Sequence, residues 1–535
     1  MGVFHLNELE NKPKVLDVDK IVKSAKVVGN VFARYTYGIN KIFITLRKNI
    51  RLPLGAYVFV LDDEGLPIVY QVASPEYYRY GHDFEKRLIA HGGISSNGSH
   101  TYDCTGILVG KVCEDGRIEP PKYPIVPLSN VYSCPEDLVR IIIEPSAKFK
   151  VVLGKNPNTG LPVSIALRPL IRQGLLISGA QGTGKTTALL TLICRSLEAY
   201  DGLHFLILDW TGEFSPLKNS KFIQNNNIKV HTIFWDTLLL SLAPKNPSLL
   251  MKLIKEDDPR VTGATEKVLE GAVVICGKRG MYPTKKTLLE IVGRVETVTE
   301  AGRSKRGVVG GYFTTRSPST IETVRNVIET SRWIVEKEVP EETLNLKQFK
   351  NLITSNNIVV VDFSTTKREQ VPDDFEIKKD VATVIAGFVW DEARRDKNFG
   401  CIVVSDEAHR IAPERDFGYV NQTWIRLATE GGRNGTPLWL VARRLSLVSK
   451  SVTTELQQNF FCFNVEDVDR RRIIEDLGET FATLLGSLPP GEAVAKSAVG
   501  FKIPGQVIHV KFDKVIEPSS VKYGLEERFR RYHLA

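Results

Sequence analysis

Gly179-Ala180-Gln181-Gly182-Thr183-Gly184-Lys185-Thr186 meets the pattern G-x-x-x-x-G-K-[ST], a spacing suited to holding a polyphosphate. Gly179, Gly182 and Gly184 let successive backbone N–H groups, including that of Thr183, converge on phosphate oxygens. Lys185 would reach the β- and γ-phosphates of ATP, and the Thr186 hydroxyl would ligate Mg²⁺. Thr187 continues the same helix start, whose partial positive charge favours an anion. Cleaving a triphosphate also needs a carboxylate for the metal and a group that orients water. Asp406 and Glu407, at the end of the apolar run Cys401-Ile402-Val403-Val404-Ser405, supply both. Asp209, after Leu206-Ile207-Leu208, is a further acid placed to approach the γ-phosphate, as is Glu213; a turn-capping role stands beside that reading for each. His409 follows Glu407 without any metal-ligand spacing, so a zinc site is rejected.

These groups need elements that aim them at one place. Leu175–Ser178, Phe205–Asp209, Ile358–Asp362, Cys401–Ser405, Leu438–Ala442 and Phe460–Val465 read as apolar strands alternating with helical segments. That alternation predicts an α/β core with a mostly parallel sheet, whose strand ends share one edge with the phosphate loop. Before it, residues 28–145 are rich in short strands. Tyr57–Leu61 and Pro67–Val72 flank Asp62-Asp63-Glu64-Gly65 as a hairpin, and Thr105–Val112 adds another strand, which predicts a small β-barrel. Pro120, Pro121, Pro124 and Pro127 mark an extended connector. Between Pro244 and Leu352 the strand signal vanishes, which predicts a helical insertion at about 245–352 with a Gly-rich break at Glu300–Gly311. The expected organisation is an extension over 1–27, a barrel over 28–145, an ATPase domain over 146–515 and a C-terminal tail over 516–535 that docks on a neighbour.

With 535 residues, two or three domains are expected. The balance of 71 Lys and Arg against 62 Asp and Glu gives a net charge of +9, which favours a polyanionic partner. No apolar run approaches the roughly 20 residues of a membrane span. Seven scattered cysteines fit reduced thiols in a cytoplasmic protein.

In order and spacing, these residues resemble the HerA family of hexameric DNA translocases, in the HerA/FtsK branch of P-loop ATPases. The resemblance runs from the barrel through the P-loop, Leu208-Asp209-Trp210-Thr211-Gly212-Glu213-Phe214, Ser405-Asp406-Glu407-Ala408-His409-Arg410 and Glu430-Gly431-Gly432-Arg433-Asn434-Gly435 to Gly486-Ser487-Leu488-Pro489-Pro490-Gly491-Glu492-Ala493. It implies a RecA-like motor with an N-terminal assembly barrel, a hexameric ring that threads double-stranded DNA, and a NurA-type nuclease partner. Lys185, Asp406, Glu407 and Asp209 match the family's acting positions. Two departures stand out. Arg443 and Leu445 replace a glutamine and a proline, and the family's Glu-Gly-Arg is Glu-Gly-Gly-Arg here. Arg433, or Arg426 in its place, would therefore be the arginine supplied to a neighbour's site. Basic loops facing the pore would touch phosphates without reading sequence; Arg303, Lys305, Arg306, Lys367 and Arg368 are the candidates. Other readings of the same residues are the motor of a membrane-associated DNA-transfer apparatus, and a nucleotide-binding scaffold with weak turnover. A metabolite kinase fits poorly with the long insertion.

Overall fold

The computed structural model describes residues 16–32, 38–47, 49–79, 100–300, 318–336, 343–367, 371, 373–415, 419–477, 485–486 and 488–516. The chain forms two compact units, each assembled from separated stretches. The first contains residues 1–170, 178–195 and 457–514; the second contains 171–177, 196–456 and 515–535.

In the first unit, β1 (Val27–Phe32), β2 (Lys41–Leu46), β3 (Tyr57–Leu61), β4 (Pro67–Arg79), β5 (His100–Val112), β6 (Ile118–Glu119) and β7 (Asn130–Ser133) follow one another. Their order is β2-β1-β7-β3-β4-β5-β6, and β5 also pairs with β2, so six strands close into a barrel. Alternation drives the closure: Ile42, Ile44 and Leu46 of β2 point inward at a period of two, to meet Val28, Val31, Val58, Val60, Ile68 and Tyr70. The same unit holds β8 (Lys150–Lys155), β9 (Pro162–Ala166), β16 (Asn459–Cys462), β17 (Glu492–Ser497) and β18 (Val507–Phe512), ordered β16-β17-β18-β8-β9 and antiparallel throughout.

The second unit carries β11 (Phe205–Asp209), β12 (Val230–Phe234), β13 (Ile358–Asp362), β14 (Ile402–Ser405) and β15 (Leu438–Ala442), ordered β12-β13-β11-β14-β15 and parallel at every registered pair. β10 (Leu175–Ser178) neighbours β15. β11, β13, β14 and β15 are buried along their whole length, as strands covered on both faces must be. The expected mostly parallel sheet is thus corrected: the β-structure outside the barrel is mixed. The strand expected at Phe460–Val465 is Asn459–Cys462 and pairs antiparallel with β17. Its pattern alone could not reveal this, because a short, fully apolar strand looks the same in either orientation.

Between β12 and β13 lie the helices Ser248–Asp257, Gly263–Lys278, Lys285–Glu300, Pro318–Thr330 and Leu346–Ser355. The first four bury Leu250, Ile254, Val268, Leu269, Ile291 and Val324 in a core of their own. The helix Phe375–Arg395 packs against Tyr419–Asn434, where the Trp424 indole N–H donates to the Thr383 hydroxyl at 3.2 Å. Among the described residues, the seven cysteines form no disulfide. Among the described residues no helix is long and apolar enough to cross a membrane.

Candidate active site

The P-loop belongs to the first unit and connects β10 to the helix Lys185–Ala199. Gly182 and Gly184 adopt left-handed φ values of 75° and 106°, which an L side chain would resist. A Cβ on Gly179 would come within 2.6 Å of Phe463, and one on Gly184 within 3.1 Å of Gly491. The loop is braced from outside. Ala180 N–H donates to the Asn464 carbonyl at 2.7 Å, and Gly491 N–H donates to the Thr183 carbonyl at 2.8 Å. Within the loop, the Lys185 ammonium at 2.6 Å and the Thr183 hydroxyl at 2.8 Å both donate to the Ala180 carbonyl. Thr186 and Thr187 are half-buried in the first helical turn. A strained glycine cradle, a cation folded over it and a fifteen-residue helix behind it fit a phosphate-bearing ligand such as ATP.

The acids belong to the second unit. Parallel register sets Leu208 opposite Ser405 and Asp209 opposite Asp362, so Asp209 and Asp406 end adjacent strands side by side. Asp209 is fully buried and spends its oxygens on the following turn: Oδ1 accepts from Gly212 N–H at 2.8 Å and Oδ2 from Phe214 N–H at 2.9 Å. These are turn-capping contacts, the alternative left open by the sequence. Asp406 accepts from the Trp210 N–H at 3.2 Å and from the Thr211 hydroxyl at 2.7 Å. Burial and the adjacent Asp209 carboxylate push the Asp406 carboxyl well above the usual range; the two hydrogen bonds oppose this, and Glu407 adds to it. A buried carboxyl in that state favours a proton or a cation, so Asp406 fits the metal role. Glu407 follows β14 in a non-helical conformation. Its Oε2 is buried 3.2 Å from His409 Nδ1, yet without a hydrogen bond. Among the described residues that oxygen has no hydrogen-bond donor, while the Glu407 side chain as a whole is half-buried. Glu213 is half-buried at the end of the same turn.

The remaining candidates fall in several places. Arg426 and Arg433 are both exposed on the helix Tyr419–Asn434, seven residues apart and therefore on one stripe about 10 Å long. Gly432 explains the extra glycine before Arg433: a Cβ there would lie 1.9 Å from the Arg172 carbonyl oxygen. Leu445 is buried and opens the turn Leu445–Leu447, whereas Arg443 is exposed at the end of β15. Lys367 is exposed, with its ammonium 5.5 Å from the centre of the Phe234 ring. Arg303, Lys305, Arg306 and Arg368 lie outside the described residues, as do Ser487 and most of the C-terminal tail.

Sequence reasoning missed Asn464, whose carbonyl braces the P-loop, and the pairing of Trp210 and Thr211 with Asp406. The first had no signal beyond a polar residue after an apolar strand. The second was implicit once β11 and β14 were placed as neighbours.

Comparison with known proteins shows what this chain is similar to. Residues 151–378 match the family described as "Helicase HerA, central domain". A probable helicase of Methanocaldococcus jannaschii is 23% identical over 443 residues, covering 75% of this chain and 78% of that protein. Among solved structures, VirB4 of Thermoanaerobacter pseudethanolicus is similar over 68% of this chain and 96% of its own, at 16% identity and a TM-score of 0.45. The bacterial conjugative coupling protein TrwBdeltaN70 is similar over 70% of this chain and 90% of its own, at 12% identity and a TM-score of 0.41.

Proposed function

We propose that this chain, residues 151–378 of which match the central domain of the helicase HerA, is an ATP-hydrolysing motor that moves double-stranded DNA. The observation that carries the reading is the pairing of two chemistries in one chain: a braced P-loop with Lys185, and a strand-end acid pair in which Asp406 is primed for a cation and Glu407 keeps an open acceptor. The matching family and the probable helicase relative support it.

In this reading Gly182, Thr183, Gly184 and Lys185 hold the phosphates of ATP. Thr186 and Asp406 are the residues that would ligate Mg²⁺, an ion that would neutralise charge on the phosphates. Lys185 exchanges the Ala180 carbonyl for a phosphate oxygen. Glu407 orients the attacking water and accepts its proton. Asp209 keeps the Trp210–Phe214 turn in shape, so that Trp210 and Thr211 stay on Asp406. The exposed arginines Arg426 and Arg433 suit a site completed by a neighbouring copy, consistent with a hexameric ring. A nuclease of the NurA type is the proposed partner in DNA end processing, and the cytoplasm the proposed compartment.

Nucleotide binding and turnover of purified protein test the reading. Lys185→Ala should lose both. Glu407→Gln should keep ATP binding but lose turnover by two to four orders of magnitude, the usual scale for a general base. If wild type binds ATP without hydrolysing it, and both variants leave its cellular role intact, the scaffold reading replaces the motor.

A further inference from the structure

We propose that Phe375 and Arg410 form a contact for a single-stranded nucleic-acid segment, with the guanidinium on a phosphate and the ring against a base. This rests on the reading of the chain as a nucleic-acid motor and names residues that reading does not supply.

Residues just beyond three neighbouring strand ends build an aromatic layer in the second unit. Trp210 follows β11, Phe363 follows β13 and Trp235 follows β12. Trp210 and Phe363 stack at 4.7 Å, and Phe363 and Trp235 at 6.4 Å. All three rings are buried, but the layer continues to Phe375, which is 42% exposed and lies 6.0 Å from Trp210. Arg410 covers this end, its guanidinium carbon 5.7 Å from the centres of both the Trp210 and the Phe375 rings. Among the described residues its side chain makes no hydrogen bond or ion pair. The acids of the same helix start are otherwise engaged: Asp373 pairs with Lys378, Glu376 with Lys379, and Asp374 caps the helix through Ile377 N–H. A half-exposed guanidinium laid on aromatic faces keeps its donors for an anion, and an exposed ring at its edge offers a stacking face. Phosphate plus base is the chemistry that uses both.

The contact is also close in bonding terms to the acids. Trp210, on whose ring Arg410 rests, gives its backbone N–H to Asp406, and its neighbour Thr211 gives a hydroxyl. A strand bound at Phe375 and Arg410 would press on the residue that holds the metal-binding carboxylate.

Fluorescence anisotropy of labelled oligo(dT) with the full chain tests this. Phe375→Ala and Arg410→Gln should each weaken binding about tenfold, the scale of one lost stacking or phosphate contact. Arg410→Gln should also lower the slope of log affinity against log salt by about 0.7, whereas Phe375→Ala should leave the slope unchanged. Arg410→Lys should restore the slope. Phe375 is exposed, so its truncation leaves no core cavity and decides the question if the arginine variant misfolds. Variants that bind oligo(dT) as tightly as wild type overturn the contact while leaving the motor reading intact, provided wild type hydrolyses ATP. Lost binding in the variants of a chain with no ATP turnover would uphold the contact and sink the motor. A wild type that binds no nucleic acid sinks both.

Discussion

Asp406 combines two demands that conflict unless a cation or a proton is present. Its strand-end position brings it beside Asp209, and burial denies the Asp406 carboxyl the solvation that would let it ionise freely. The sign of the resulting linkage follows. A carboxyl with a raised folded pKa binds its proton more tightly when folded. Its contribution to stability is complete below the unfolded value near pH 3.9 and is lost as pH rises through the raised folded value. As pH rises above about 4, the denaturation midpoint of the metal-free wild type should therefore fall relative to that of Asp406→Asn. Parallel pH profiles for the two proteins would show that Asp406 is not the group responsible.

Glycine does at Gly432 what no other residue could do there. The helix Tyr419–Asn434 ends backbone against backbone on Arg172, and a methyl group must push that contact apart. Gly432→Ala should cost about 1–3 kcal/mol in denaturant unfolding, the usual range for overpacking; an unchanged midpoint would mean the helix end is free to shift. The two arginines of this helix can be told apart by mixing. If Arg433 serves a neighbour, Arg433→Ala protein mixed with Lys185→Ala protein should regain part of the turnover that each lacks, because some junctions then pair an intact arginine with an intact lysine. No recovery with Arg433→Ala, but recovery with Arg426→Ala, would move the role to Arg426. At this scale the sequence was legible where elements are local. Leu175–Ser178, Phe205–Asp209, Ile358–Asp362 and Leu438–Ala442 are strands within those bounds, because runs buried on both faces leave an unbroken apolar signature. The antiparallel group was not legible. Glu492–Ser497 and Val507–Phe512 carry Glu492, Lys496, His509 and Lys511 in place of an unbroken apolar run, and although they pair with each other locally, Val507–Phe512 also pairs with β8, hundreds of residues earlier.

For the molecule as a whole, the charge balance and the barrel spoke to partners and assembly only in general terms. Barrel closure depends on β5 returning to β2, a long-range pairing that no window of sequence contains. The P-loop was legible to the residue, since its pattern is its chemistry. The brace from Asn464 and Gly491 was not, because it is made by backbone groups that any residue carries. A motor that grips phosphates should show turnover stimulated by duplex DNA, and that stimulation should fade steeply as salt rises. Stimulation equal at low and high salt would argue against a phosphate grip.

Displacement of a triplex-forming strand from duplex DNA tests the coupling of ATP cleavage to movement most directly. Wild-type protein should strip the third strand only with ATP and Mg²⁺, and Glu407→Gln should bind the same DNA without stripping it. A wild type that hydrolyses ATP at full rate on this DNA and leaves the triplex in place would contradict the account.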